Sequence, residues 1–177
     1  MENRNTDLTI RLASIKDAQG ILDIYNDAIL NTTAVYSYEP HTIDMRLQWL
    51  EDKRHHNIPV LVAEVDSMVT GFATYGPFRA WPAYQYTVEH SVYVHKAYRQ
   101  QGIAEKLLRQ LIEIVKQQPI HTIVAGIDAG NVASIKLHQK LGFTEIGTFK
   151  QVGYKFDRWL DLKFMQLILD SDFKPGS

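Results

Sequence analysis

The stretch Val92-Tyr-Val-His-Lys-Ala-Tyr-Arg-Gln-Gln-Gly-Ile-Ala104 most constrains what this chain can fold into. It is a β-type run, then Arg99-x-x-Gly102-x-Ala104, then an amphipathic helix. A strand that feeds a helix through a glycine builds an anion site. The glycine lets backbone come close to a ligand, and the helix offers its unpaired first-turn N–H groups and the positive end of its dipole. The loop has neither the Gly-Lys-Ser/Thr ending of a nucleoside-triphosphate site nor the Gly-x-Gly-x-x-Gly of a dinucleotide fold. Taken alone, the pattern also describes an ordinary strand-to-helix loop.

The helix from Ile103 places Leu107, Leu108, Leu111, Ile112 and Val115 on one stripe, which must cover a sheet. Ahead of it the sequence predicts a strand at Leu8 to Leu12 and a helix from Asp17 to Leu30. A second helix, capped by Thr42 and running to His56, has Met45, Trp49 and Leu50 on its inner side. Val60 to Val65 and Val69 to Tyr75, joined by Asp66-Ser67, read as a hairpin, and Thr87 to Val94 as a fourth strand. After the central helix come a strand at Ile120 to Ile127, a helix from Asn131 to Leu141 stopped by Gly142, and strands at Thr144 to Phe149 and Tyr154 to Leu169. The β-α-α-β-β-β-α-β-α-β-β order gives an α/β (α+β) fold whose helices cover a mixed sheet.

At 177 residues the chain is read as one domain, 1–177, with an ordered core of about 8–169 and a frayed last eight residues. Nineteen basic residues against twenty acidic give a net charge of −1, so no nucleic-acid or membrane-surface partner is expected. The Met-Glu-Asn-Arg-Asn-Thr-Asp start lacks the apolar core of a signal peptide, and no apolar run reaches membrane length. A cytoplasmic location is expected. With no cysteine there is no disulfide, no thiolate metal site and no thioester route for acyl transfer. The seven scattered His residues suggest no metal site.

Arg99 to Ala104 resembles the pyrophosphate loop of the GNAT superfamily of acetyl-CoA-dependent N-acetyltransferases, whose element order the chain matches along nearly its whole length. Three further stretches resemble the phosphinothricin and methionine-sulfone branch of that superfamily. They are Tyr86-Thr-Val-Glu-His-Ser-Val-Tyr-Val-His95, Asn131-x-x-Ser134-x-x-Leu137-His138-x-x-Leu141-Gly-Phe143, and Gln151-Val-Gly-Tyr-Lys-Phe-Asp-Arg-Trp-Leu-Asp161. The resemblance implies about seven strands flanked by about four helices, acetyl-CoA as donor, no metal, and a small amino-acid-like amine as acceptor. It implies cofactor contacts at Val92, Tyr93, Val94, Gln100, Gln101, Gly102, Ile103, Ala104, Glu105, Asn131, Ser134 and Lys140, with an N–H near Val94 polarising the thioester carbonyl. It implies acceptor contacts at Arg79, Pro82, Ala83, Tyr84 and Glu89, and a homodimer joined through the C-terminal strands.

The chemistry explains what these residues would do. An amine must lose a proton before it attacks a thioester, so a carboxylate or His poised near neutrality should face it. Period-two alternation puts Glu89, Ser91, Tyr93 and His95 on one sheet face and His90, Val92 and Val94 on the other. On pattern alone a carboxylate at the Glu89 position is more often a solvated strand residue; the resemblance reverses that reading and makes it the base. Asn131, Ser134 and His138 share a helix face, and His138 reads either as the acid that protonates the departing thiolate or as a group that orients Glu89 or the substrate. In Tyr75-Gly-Pro-Phe-Arg-Ala-Trp-Pro-Ala-Tyr84 the cation Arg79 looks buried and suits a substrate carboxylate, though a surface arginine fits the same pattern. Trp81 departs from the branch, where Arg or another residue often stands, and Tyr36 and Trp159 read as packing residues. The expected reaction is direct transfer to an α-amine. Peptide N-termini, polyamines or a non-catalytic acyl-CoA sensor are the alternatives.

Overall fold

Leu61 and Ala63 bury against one set of helices while Val62, between them, buries against another, so their strand lies inside a sheet covered on both faces. The computed structural model describes residues 8–169 and Pro175. The chain runs β1 (Thr9–Leu12), α1 (Ala18–Asn31), α2 (Ile43–His55), β2 (Leu61–Val65), β3 (Met68–Pro77), β4 (Thr87–Val94), α3 (Ile103–Lys116), β5 (Thr122–Asp128), α4 (Val132–Lys140), β6 (Thr144–Lys155) and β7 (Arg158–Ile168). Short 3₁₀ turns occupy Ile15–Asp17, Pro82–Tyr84 and Lys96–Tyr98. No described helix is long and apolar enough to cross a membrane.

The seven strands form one mixed sheet in the order β1-β2-β3-β4-β5-β7-β6. The α1/α2 side packs Ile21, Ile24 and Leu50 on Val62 and Phe72. On the opposite side the α3 stripe, Leu107, Leu108, Leu111, Ile112 and Val115, is buried against Leu61, Ala73, Ile123 and Met165. Thr42 caps α2 as expected, its hydroxyl accepting from Met45 N at 3.3 Å.

One joint in the sheet is short. β4 and β5 run parallel, yet they pair only at Thr87–Glu89 against Thr122–Val124. Beyond Glu89, β4 stays with β3 as far as Val94, and β5 stays with β7 as far as Asp128. The two strands part there, leaving Ser91–Val94 with a sheet neighbour on one side only.

Two expectations shift. The inner face of α2 is out by one position: Met45 is 49% exposed, whereas Arg46 is 2% exposed and buried beside Leu50. The rings of Tyr25 and Trp49 flank the Arg46 guanidinium and let a cation take an apolar position. The C-terminal hairpin turns at Phe156-Asp157, both at positive φ, and residues 150–153 belong to β6 through a bulge where Gln151 has φ 55°. Of the last eight residues, read as frayed, all but Pro175 lie outside the described residues.

Candidate active site

Glu89 stands where β4 and β5 part, in register with Gly76 on β3 and Val124 on β5. A Cβ added to Gly126 would sit 2.8 Å from Glu89 Oε1, so the glycine on β5 makes room for the carboxylate. Burial pushes the Glu89 carboxyl above the ordinary carboxylate range, and the positive charge of Arg79 partly opposes this. Glu89, Ser91 and Tyr93 line a cavity of about 300 Å³ beneath α1 and α2, together with Tyr25, His41, Arg46, Trp49 and Lys53. A carboxylate held at a cavity wall with a raised proton affinity is suited to taking a proton from an ammonium group.

At the other end of β4 the chain turns into α3. Gly102 is the N-cap of α3 with φ +76°, and its carbonyl accepts from Lys106 N at 3.1 Å. Ile103, Ala104 and Glu105 therefore carry first-turn N–H groups without intrahelical partners. A side chain on Gly102 would meet no protein atom within 4 Å. Glycine is thus set by the left-handed backbone, not by packing. Gln100, at φ 63°, and Gln101 complete the loop, and Arg99 is tied to Asp27 at 3.2 Å and to the Val94 carbonyl at 3.3 Å. Glu105 and Lys140 find each other at 2.7 Å, with Arg109 also on Glu105 at 2.8 Å, so these two expected cofactor contacts are engaged together at the mouth of α3.

Asn131 caps α4, its side-chain oxygen accepting from Ser134 N at 3.1 Å. His138 is 1% exposed, and its Nε2 lies 2.8 Å from His90 Nε2. The tautomers follow from the partners. His138 Nδ1 is 2.7 Å from the Ser134 carbonyl, which can only accept, so Nδ1 carries the proton and Nε2 is the acceptor. His90 Nε2 must then donate, and its buried Nδ1 has no partner among the described residues. Burial depresses the pKa of both rings, His90 to about 3. His138 is therefore neutral with a lone pair, not a proton, on Nε2. It meets His90, whose side chain leaves the sheet on the face opposite Glu89, so the expectation that His138 orients Glu89 is corrected.

The loop after β3 also differs from expectation. Arg79, read as buried, is exposed on a surface loop, with its guanidinium 5.3 Å from the Phe78 ring. Pro82, Ala83 and Tyr84 form an exposed 3₁₀ turn, held where Phe78 meets Tyr84 at 5.8 Å and Phe164 at 6.3 Å. Tyr36 packs on β6, where a Cβ at Gly153 would overlap its ring at 2.6 Å. Among the described residues the buried lysine and arginine side chains are Arg46, which lines the Glu89 cavity, and Lys155. Sequence reasoning missed Arg46, although Arg46, Leu50 and Lys53 at i, i+4 and i+7 put two cations in the phase of the apolar stripe.

The family model described as an acetyltransferase (GNAT) domain matches residues 10–164. This chain belongs to the GNAT acetyltransferase family. An L-methionine sulfoximine/L-methionine sulfone acetyltransferase from Salmonella typhimurium is 46% identical over 170 residues, covering 96% of this chain and 99% of its own. A solved structure from Salmonella typhimurium, described as an acetyltransferase with its cofactor acetyl-CoA, matches with a TM-score of 0.93 at 46% identity, covering 96% of this chain and 98% of that one. A phosphinothricin acetyltransferase from Sinorhizobium meliloti, in complex with acetyl-CoA, matches at a TM-score of 0.90 and 31% identity over 96% of this chain and 94% of that one. In this member of the family the mixed sheet has seven strands with four α-helices and opens between β4 and β5.

Proposed function

We propose that this GNAT chain transfers an acetyl group from acetyl-CoA to the α-amine of a small amino acid or analogue of the methionine sulfoximine, methionine sulfone or phosphinothricin kind. The observation that carries the reading is Glu89 at the parting of β4 and β5, half-buried on the wall of a closed-sized cavity. Glu89 takes the ammonium proton, and Arg79, whose charge lowers the carboxyl's proton affinity from outside the cavity, holds the acceptor's carboxylate. The unpaired edge of Val92–Val94 receives the pantetheine arm as a strand would, with a backbone N–H near Val94 aimed at the thioester oxygen. Bound acetyl-CoA supplies the activated acyl carbon, and no side chain of the enzyme carries the acyl group in this direct transfer. The α3 N-terminus from Gln100 to Glu105, with Asn131, Ser134 and Lys140 on α4, holds the rest of the donor.

The chain works in this reading as one domain and a cytoplasmic homodimer, with no nucleic-acid or membrane partner. Tyr154 and Trp159, paired across the β6–β7 hairpin with ring centroids 5.2 Å apart, are 46% and 60% exposed, an apolar surface that a second copy would cover.

Thiol release from acetyl-CoA is the test, run against free amino acids, methionine sulfone, methionine sulfoximine, phosphinothricin, polyamines and short peptides. Turnover confined to the amino-acid-like acceptors supports the reading; activity only on peptides or polyamines, or none at all, overturns it.

Two substitutions probe the parts separately. Arg79→Gln removes the charge that opposes burial at Glu89, so the folded carboxyl's proton affinity rises further. The base must be ionised to act, and the acidic limb of kcat/KM therefore moves to higher pH. A limb that stays put, or moves down, refutes the coupling. Gly102→Val forces a β-branched residue to φ +76°, a backbone conformation that valine resists, and so distorts the loop that presents the first-turn N–H groups. Calorimetric titration should show acetyl-CoA affinity weakened by about tenfold or more; equal affinity would remove the loop from the donor site.

A further inference from the structure

The inward face of α2 holds a guanidinium with no counter-charge among the described residues. Arg46 is 2% exposed, its plane flanked by the rings of Tyr25 and Trp49 at 4.4 and 4.5 Å. Its Nη2 meets His41 Nδ1 at 3.3 Å, its buried Nε has no partner among the described residues, and no carboxylate contributes to its electrostatics. The His41 ring, kept neutral by burial and by Arg46 itself, offers a lone pair and no negative charge. Lys53 lies one helical turn below Trp49, with Nζ 5.6 Å from its ring. That ammonium donates to the Tyr75 carbonyl and lies 3.9 Å from where Gly76 would carry a Cβ; Gly76 is the residue in register with Glu89. Two cations and a single carboxylate, itself pushed by burial toward neutrality, thus share one cavity of about 300 Å³. Buried cations are ordinarily paired or hydrogen-bonded to anionic oxygen, and π faces leave in-plane N–H groups unsatisfied.

We propose that Arg46, with Lys53 beside it, forms a subsite for oxygen atoms at the far end of the acceptor's side chain. The subsite would select amino acids tipped with oxygens on sulfur, phosphorus or carbon over apolar ones of the same length. This rests on the acceptor class proposed above, and the geometry extends it. The α-ammonium belongs at Glu89 and the α-carboxylate at Arg79, outside the cavity. The side chain is then the part that enters, and the groups it meets at depth are the N–H donors of Arg46 and the Lys53 ammonium. Tyr25, Trp49, Phe72 and Tyr93 supply apolar walls for its methylenes.

The test compares kcat/KM for methionine, methionine sulfone and phosphinothricin in the wild type, Arg46→Met and Lys53→Met. The wild type should favour the oxygen-tipped acceptors, and Arg46→Met should cost them about ten- to a hundredfold, mostly in KM, while methionine changes by less than about threefold. Lys53→Met should cost less but in the same pattern. A loss equal for all three acceptors makes Arg46 either a structural clamp or the α-carboxylate anchor, and overturns the proposal. Should Arg46→Met fail to fold, titration of the wild type with the desamino analogues of methionine sulfone and of methionine decides: tighter binding of the sulfone supports the subsite, and equal binding refutes it. Turnover of methionine as good as that of its sulfone sinks this inference and leaves the acceptor class standing, whereas turnover of peptides or polyamines alone sinks both.

Discussion

Replacing Glu89 with Gln lowers turnover about a hundredfold or more near neutral pH, with acetyl-CoA affinity changed by less than about twofold. The amide keeps the shape and hydrogen-bonding capacity of the side chain but cannot accept a proton from an ammonium. In the reading proposed above, the donor is held by backbone and by α3 and does not depend on it. The pH profile separates this from a merely structural loss. Burial raises the Glu89 carboxyl's proton affinity, so wild-type kcat/KM falls as pH drops through a value above the ordinary carboxylate range, because the base is being protonated. In the Gln variant that limb is absent. Turnover unchanged by the substitution, or an acidic limb that survives it, would take the role of base away from Glu89.

The second large effect falls on stability and comes from Lys155, far along the chain from the chemistry. The residue is 4% exposed, and its ammonium donates to the carbonyls of Ile29, Thr32 at 2.8 Å and Val35 at 2.7 Å. α1 ends at Asn31, so these are the acceptors that a helix C-terminus and its following loop leave unsatisfied. Lys155→Met fills the space but orphans three carbonyls, two of those hydrogen bonds lying fully inside the protein. A loss on the order of 3 kcal/mol follows, or roughly a 6–12 °C drop in Tm for a chain of this size. Thermal melts at one protein concentration measure it, and a shift under about 2 °C would mean that water takes over the three acceptors. The same lysine anchors the loop that leads to His41, together with the Tyr38 hydroxyl donating to the Tyr154 carbonyl and the Thr33 hydroxyl to Asp128. One end of the cavity beside Glu89 is thus tied to the C-terminal hairpin.

How much of this could be read from residues alone depends on how purely each segment follows one rule. α3 was legible because its apolar stripe is unbroken by charge, and all five predicted stripe residues are buried. The Asp66-Ser67 turn was legible because both residues sit at positive φ, as a two-residue hairpin demands. α2 was half legible: its N-cap and length follow from Thr42 and the pattern, but its inner face carries Arg46, and hydrophobic periodicity assigns a charge to solvent. The same bias made Arg79, set among aromatics, look like the interior cation when the buried guanidinium lay on a helix. Alternation on β4 placed Glu89 and His90 on opposite faces, yet nothing in α4's sequence says which face His138 will reach. That follows from the crossover of α4 onto the α3 side, a long-range fact.

Seven strands stitched across the middle by three residue pairs, Thr87–Glu89 against Thr122–Val124, amount mechanically to two smaller sheets sharing a short seam. A four-stranded piece and a three-stranded piece meeting at such a seam can change the angle between them at little cost in hydrogen bonds. In the reading proposed above, Glu89 sits at the apex of that angle and the thioester lies between its arms. An arm of ligand bonded along β4 acts as a splint, stiffening the wedge at the moment both reactants are present. Substitutions that loosen the seam, far from any reacting atom, would then change the rate by changing an angle.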